Sequence, residues 1–287
     1  MKSKISLISS LFVAIVLLSS CTETIDIELD ETFTRLVVDG QISTDTVAHQ
    51  IKLSKSASYF SNTEPPAVSG AELLLEDGNQ VFKLTEAPVG SGYYYTPEDY
   101  FGQPGNTYKL NINLADPVGE ISNFEATSTM ATTDFILDSI ELEYREPFGF
   151  WMVMLYAFDP PTTDFYRIDI FRNGEILTDT AYRTPISDDR LFNGNYSNGL
   201  TITFLYEDEV TLGDTITALM SAINKEYYDF LMELRNESGF SNPLFGGPPA
   251  NISSNLKEGG LGYFGTRKSA RTSFIADESL WEDKPKK

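Results

Sequence analysis

Hydrophobic and polar positions alternate along most of the chain after residue 35, with a period of two residues. Successive side chains of a β-strand point to opposite faces, so this period predicts strands with one buried face. The strands predicted in the first half are 36–38, 47–53, 71–75, 81–84, 93–95 and 107–112. Turn residues separate these runs, most clearly at Asp77-Gly78, a pair typical of tight β-hairpins.

A second block of alternating runs follows a pause in the pattern at Thr132, Thr133 and Asp134. Its predicted strands are 140–144, 151–158, 166–171, 200–206 and 215–220, with a turn at Asn173-Gly174. Short strands separated by turn residues are typical of β-sandwiches. The pattern therefore predicts a mainly-β chain with two domains. Residues 35–133 form a β-sandwich, and residues 134–287 form a second sandwich or a partly closed barrel.

One α-helix is predicted near the carboxyl end, over residues 225–236. Asn224 can cap its first turn, and Tyr227, Leu231 and Leu234 recur with helical spacing. Gly239 follows as a stop signal, so the helix has sequence features at both ends.

The segment 240–265, after this helix, is rich in Gly, Pro, Asn and Phe. Such a composition predicts a long irregular segment, and long loops in compact domains are usually functional or tightly packed. Its aromatic residues Phe240, Phe245, Tyr263 and Phe264 are candidates for a partner or ligand surface, because rigid aromatic side chains on loops are typical of interfaces. The alternative is an irregular lid that packs across the sandwich.

The first twenty residues predict a processing signal. Two lysines precede an apolar run at 5–18, which is too short for a comfortable transmembrane helix. The run ends in Leu18-Ser19-Ser20-Cys21, which is similar to the lipobox of bacterial lipoproteins. We therefore predict cleavage of residues 1–20 between Ser20 and Cys21, and acylation of the only cysteine, which then anchors the protein in a lipid bilayer.

Residues 21–34 predict an acidic tether between this anchor and the first domain. Five acidic residues lie in the segment, and no basic residue occurs before Arg35. Ile25, Ile27 and Leu29 alternate with the acids, so part of the segment could also pair as a strand.

Charge and composition exclude several classes of function. Lys and Arg number 21 and Asp and Glu number 42, a net charge of −21. Nucleic-acid binding rests on Lys and Arg contacts to phosphate, so no nucleic-acid partner is predicted. One cysteine and one histidine exclude an internal disulfide, Cys-rich zinc or iron–sulfur sites and any site that needs two histidines. No cofactor is predicted.

The candidates for catalysis are weak, and the chain is predicted not to be an enzyme. His49 is the only histidine, and strand alternation places it on the inward face with Val47, Ile51 and Leu53, where it is more typical of a core residue than of a general base. Carboxylates are plentiful, so a calcium-assisted hydrolase of glycan or peptide remains as an alternative.

The clusters considered for calcium are Glu207-Asp208-Glu209 and the surroundings of Asp188, but no calcium-loop spacing is present and no metal site is predicted. Arg190, in the same acidic region, is predicted to hold its loop through ion pairs.

Four Asp-Ser/Thr-aliphatic tripeptides resemble the O-glycosylation sites of exported Bacteroidota proteins. Composition alone would give about one or two of them by chance. The candidate acceptors are Thr46, Ser139, Thr180 and Thr215.

Several stretches, in order along the chain, resemble one family closely. They are Ile25-Asp26-Ile27-Glu28-Leu29, Leu36-Val37-Val38-Asp39-Gly40, Asp189-Arg190-Leu191-Phe192-Asn193-Gly194, Glu226-Tyr227-Tyr228-Asp229-Phe230-Leu231, Asn242-Pro243-Leu244-Phe245 and Leu261-Gly262-Tyr263-Phe264-Gly265. The family is that of Bacteroidota outer-membrane lipoproteins catalogued as domain of unknown function 4249. The resemblance implies a prealbumin-like or Ig-like first sandwich, and it supplies no catalytic residues.

The same resemblance implies a partner, because members of this family are similar to companions of SusC-type TonB-dependent transporters. We therefore expect a lipid-anchored lipoprotein of the outer membrane, on its extracellular face, that acts as a non-catalytic binding or accessory subunit of such a transporter. A stand-alone adhesion or scaffold lipoprotein is the alternative.

Overall fold

Sixteen β-strands and two α-helices form the regular structure of the computed structural model, which describes residues 34–57, 63–238 and 252–282. The strands are β1 Leu36–Ser43, β2 Gln50–Lys55, β3 Glu72–Glu76, β4 Val81–Lys83, β5 Thr85–Glu86, β6 Tyr93–Tyr95, β7 Thr107–Val118, β8 Ile121–Thr129, β9 Ile136–Arg145, β10 Phe150–Phe158, β11 Phe165–Arg172, β12 Glu175–Ile176, β13 Ile186–Asp188, β14 Tyr196–Tyr206, β15 Thr215–Ile223 and β16 Leu261–Ile275. The helices are α1 Lys225–Ser238 and α2 Ser279–Glu282. Strands make up 51% and helices 10% of the structure, which confirms the mainly-β prediction.

Three sheets contain these strands. The large sheet has nine strands in the order β12-β11-β15-β16-β1-β2-β6-β5, with β13 also paired to β11. A four-stranded sheet has the order β4-β3-β7-β8, and a three-stranded sheet has the order β14-β10-β9. Strands β1 and β16 are parallel neighbours in the middle of the large sheet, whereas β1–β2 and β15–β16 are antiparallel.

Both small sheets pack on the same face of the large sheet. Alternate residues of β16 show this, because Phe264 belongs to the core under the four-stranded sheet, whereas Ala270 and Phe274 pack against the core under the three-stranded sheet. Residues before the boundary predicted at 133/134 supply most of the first core, but Leu256 and Phe264 belong to it as well, and both cores share the large sheet. The described residues fall in one compact unit.

Helix α1 covers the opposite face of the large sheet. Its buried residues Tyr227, Phe230 and Leu231 pack against Tyr263 of β16. The side-chain oxygen of Asn224 accepts a hydrogen bond from the backbone N–H of Tyr227 at 2.9 Å, which satisfies one of the free donors of the first turn. The predicted helix and its cap are confirmed, while Gly239 lies outside the described residues.

Two predicted turns are also confirmed. The Asp77-Gly78 turn joins β3 to β4, and the Asp77 carboxylate accepts bonds from the N–H groups of Asn79 and Gln80, both at 2.9 Å. Asn173 and Gly174 join β11 to β12 with positive φ angles of 52° and 88°, the backbone that a two-residue hairpin turn requires.

The end of segment 240–265 differs from the predicted irregular loop, because β16 starts at Leu261 and runs through the centre of the large sheet. Because glycines are atypical of strands, the glycine-rich composition of this segment did not predict β16. A Cβ atom at Gly262 would overlap the carbonyl oxygen of Val38, and Gly262 has a φ of +78°, so only glycine lets β16 approach β1 here. Strand β8 was also missed by the pattern.

Among the described residues, no helix has both the length and the hydropathy that crossing a membrane requires. The predicted signal 1–20 and the tether up to Phe33 lie outside the described residues.

Candidate functional site

A polar cleft lies on the helix-covered face of the large sheet, beside α1. We define it by Gln41 of β1, His49 before β2, Arg167 and Asp169 of β11, and Arg267 of β16. These strands place alternate residues on this face, so the residues that meet here are far apart in sequence. The cleft has a volume of 330 Å³, and an adjoining cavity of 410 Å³ shares Gln41 and Arg167 and reaches the helix.

Asp169 is at the centre of an ionic network in this cleft. Its Oδ1 accepts from Nε of Arg167 at 2.9 Å, and its Oδ2 accepts from Nη1 of Arg267 at 2.9 Å. Arg167 also donates from Nη1 to the Tyr227 hydroxyl at 3.1 Å, and the Gln41 amide donates to the same hydroxyl at 2.6 Å. The network therefore joins three strands of the sheet to α1.

Three buried polar atoms of the cleft have no hydrogen-bond partner among the described residues. They are Oε1 of Gln41, Nε2 of His49 and Nε of Arg267. Buried polar atoms in native proteins are nearly always paired with protein, water or a ligand, so three such atoms in one cleft require an explanation.

His49 is buried as predicted, with 5% of its surface exposed. Burial, assisted by the positive charge of Arg267, lowers the pKa of His49 to about 4, so the ring is neutral at pH 7. The prediction that Val47 shares its inward face is wrong, because β2 begins only at Gln50 and Val47 is exposed on the preceding loop.

The charges in the cleft are unequal in number. Two guanidinium groups face one buried carboxylate, in a chain whose net charge is −21. Two further carboxylates line the cleft: Asp39 is exposed to solvent, and Asp45, whose side chain is 25% exposed, already pairs with Arg271 at 2.7 Å. Water screens an exposed charge far more than a buried one, so the interior of the cleft favours an anion.

A second candidate surface is the outer face of the three-stranded sheet. We call it the aromatic face and define it by Phe148, Phe150, Phe204 and Tyr206. The Phe148 and Phe150 rings stack at 5.4 Å, and the Phe150 and Phe204 rings meet edge to face at 4.6 Å. Phe148, Phe204 and Tyr206 are nevertheless 72%, 53% and 66% exposed. Exposed aromatic clusters of this kind are typical of protein interfaces.

Strand alternation explains the aromatic face. Trp151 points into the second core and is fully buried, whereas its neighbour Phe150 points outward beside Tyr206 of the paired strand β14. A groove of 370 Å³ runs along Phe150, Phe204 and Tyr206, and Arg183 lies 5.6 Å from the Tyr206 ring.

The predicted partner surface is corrected for two of its four residues. Tyr263 and Phe264 are 6% and 0% exposed, because the alternation of β16 puts Tyr263 under α1 and Phe264 in the first core. Tyr263 instead lines the cavity beside the polar cleft. Phe240 and Phe245 lie outside the described residues, as do Ser20 and Cys21 of the predicted lipidation site.

The predicted O-glycosylation acceptors differ in accessibility. Thr46 and Thr180 are exposed, whereas Ser139 of β9 and Thr215 of β15 are half-buried. Modification of these four residues stays a prediction, and the first two are the better placed for an enzyme to reach.

Three buried carboxylates, those of Asp159, Asp164 and Asp189, lie with oxygen atoms within 4.8 Å of one another, in an arrangement that could hold a cation. Their oxygens already accept hydrogen bonds from Tyr166, Thr133, Thr162, Asn193 and the backbone N–H groups of Asp164 and Gly194. Burial, and then the neighbouring carboxylates, raise the pKa of Asp159. These hydrogen bonds hold together the loops that contain Asp159 and Asp189.

The acidic positions considered for calcium in the sequence have other contacts. Asp188 pairs with Arg190 at 2.8 Å, which confirms the predicted role of Arg190, and Glu209 pairs with Arg183 at 2.8 Å. The Asp159 cluster had no sequence signal, because its members are spread over two loops without a motif. An apolar cavity of 330 Å³ beside Asp159 is lined by Leu155, Ile168 and other residues of the second core.

A family model described as "Domain of unknown function (DUF4249)" matches residues 22–273. No curated protein matches the chain.

Proposed function

Because this chain belongs to the family described as domain of unknown function DUF4249, we propose that it is a binding subunit without catalytic activity. In this proposal the protein is anchored through acylated Cys21 in the outer membrane, on the extracellular face. It contacts a SusC-type TonB-dependent transporter in the same membrane and assists the uptake of a ligand.

The aromatic face is the observation that supports this proposal. Buried aromatic side chains contribute a large part of the energy of interfaces, and each covers about 150–250 Å². Phe204 and Tyr206 of β14 and Phe148 of the turn before β10 present such side chains to solvent, with the 370 Å³ groove beside them. A rigid, pre-formed aromatic surface is favourable for binding a protein partner because little conformational entropy is lost on association.

The anchor is compatible with such a contact. Residues 22–35 separate Cys21 from the start of β1. A chain of that length spans at most about 50 Å when it is fully extended. A partner in the same membrane therefore lies within reach of the folded part.

We expect a photo-crosslinking residue at Phe204 to join this protein to a TonB-dependent transporter in living cells. The residue p-benzoylphenylalanine would be placed at Phe204 and, as a control, at Val89, which is 89% exposed against 53% for Phe204 and lies between β5 and β6. The crosslinked products would be purified through a tag on this protein and identified by mass spectrometry. Position 204 should yield a transporter, and position 89 should not.

A different product at position 204 would change the proposal. Reproducible crosslinks to other cell-surface components, with no transporter in repeated preparations, would favour the adhesion or scaffold role. Crosslinks that are equal at both positions would mean that the aromatic face is not the contact surface.

We also expect protease added to intact cells to degrade this protein, because the proposal places it outside. A periplasmic marker protein should survive in the same sample. Degradation only after the outer membrane has been opened would contradict the extracellular location.

A further inference from the structure

We propose that the polar cleft binds a small hydroxy acid, a ligand with one carboxylate and at least one hydroxyl group. The proposal is independent of the transporter partner, since the cleft and the aromatic face lie on different sheets. It rests on the three unpartnered atoms of Gln41, His49 and Arg267.

The carboxylate would bind to Arg267. Asp169 already uses Oδ2 for Nη1 of Arg267 and Oδ1 for Arg167, so it leaves Nε of Arg267 without an acceptor. Guanidinium groups match carboxylates in geometry and form stronger hydrogen bonds with them than neutral partners do. One bound carboxylate would also offset the second positive charge of the cleft.

The hydroxyl groups would bind to the two remaining atoms, which are acceptors. Oε1 of Gln41 can only accept, because the amide nitrogen donates to Tyr227. The backbone carbonyls of Asp45 and Tyr100 lie against the His49 ring, and Nε2 is the ring nitrogen without a hydrogen-bond partner. In a neutral ring the second nitrogen is then an acceptor as well.

The size of the cleft agrees with a small ligand. Its volume of 330 Å³ lies at the lower end of the range of about 300–1,000 Å³ found for small-molecule sites. An anion without hydroxyl groups would satisfy Arg267 alone, and a neutral sugar would leave the second positive charge of the cleft without a counter-ion. A hydroxy acid satisfies all three atoms.

The test is isothermal titration calorimetry of the folded protein with two matched pairs of probes. L-lactate and propionate differ by one hydroxyl group, and D-glucuronate and D-glucose differ by a carboxylate. We expect at least one of the hydroxy acids to bind, at least tenfold more tightly than its matched partner, because a site built for a hydrogen-bonding group rejects an analogue that lacks it.

Variants locate the binding in the cleft. Gln41→Leu and Arg267→Gln should each weaken binding of that hydroxy acid at least tenfold, with circular dichroism used to check folding. Gln41→Leu removes no ion pair, so it keeps the test valid if Arg267→Gln unfolds. Lys268→Gln is the matched control, because Lys268 is the next residue of β16, faces the other side of the sheet and pairs with exposed Asp134 at 3.1 Å.

Three results would overturn the proposal: neither hydroxy acid binds, the matched partner binds equally well, or Gln41→Leu binds like the wild type. If neither hydroxy acid binds, water rather than a ligand fills the cleft. None of these results bears on the crosslinking experiment, so the two proposals can fail separately.

Discussion

Replacing Asp169 with alanine should lower the free energy of unfolding by about 3–5 kcal/mol, the cost found when one partner is removed from a buried ion pair. The substitution leaves the guanidinium groups of Arg167 and Arg267 buried beside each other without a counter-ion. It also frees Arg167 from the arrangement in which it binds Tyr227 of α1. Urea denaturation followed by circular dichroism measures the change.

The matched control is Asp134→Ala. Asp134 also pairs with a basic residue, Lys268 at 3.1 Å, but its side chain is 96% exposed. Exposed pairs of this kind contribute about 0–1 kcal/mol, so this variant should unfold almost like the wild type. If Asp169→Ala cost no more than the control, the network would not be a buried ionic centre.

Lowering the pH from 7.5 to 5.0 should destabilise the wild type more than a His49→Gln variant, by about 2 kcal/mol. The pKa of His49 is about 4 in the folded protein and 6.5 in the unfolded chain. The unfolded state therefore binds a proton as the pH falls below 6.5, while the folded state does not do so until the pH nears 4. The stability that the neutral His49 ring contributes is therefore fully present above pH 6.5 and is lost as the pH falls from 6.5 towards 4.

The comparison of the wild type with His49→Gln isolates the contribution of His49 to the pH dependence, because the carboxylates titrate in both proteins. Urea unfolding at the two pH values gives four free energies of unfolding, and their double difference is the contribution of the ring. The charged groups that face His49 are Arg267 and Asp45. Equal losses in the wild type and the variant would show that His49 protonates freely in the folded state.

The local predictions succeeded where a short stretch of sequence determines the backbone. Asp77-Gly78 and Asn173-Gly174 formed hairpin turns, because the backbone that such turns require suits these residues. Asn224 capped the predicted helix. Strand β16 was missed because its residues from Thr266 to Ser273 are mostly polar or small, and only the neighbouring strands and sheets show that it is central.

The polar cleft could not be predicted in the same way. Gln41, Arg167 and Arg267 come from three strands, and their meeting depends on the order of strands in the large sheet. The strand order is a long-range property, which alternation does not encode. The aromatic face had a partial signal in the spacing of Phe204 and Tyr206, because residues two apart share a face of a strand.

The parallel pair β1–β16 has a consequence for biogenesis. Of the described strands, a ribosome makes β1 first and β16 last, and β16 lies between β15 and β1 in the large sheet. Until β16 is synthesised, the sheet is divided into two parts with open edges, and open strand edges favour aggregation. A nascent or prematurely terminated chain without β16 is thus a client for chaperones and proteases, and only the full-length product can close the sheet.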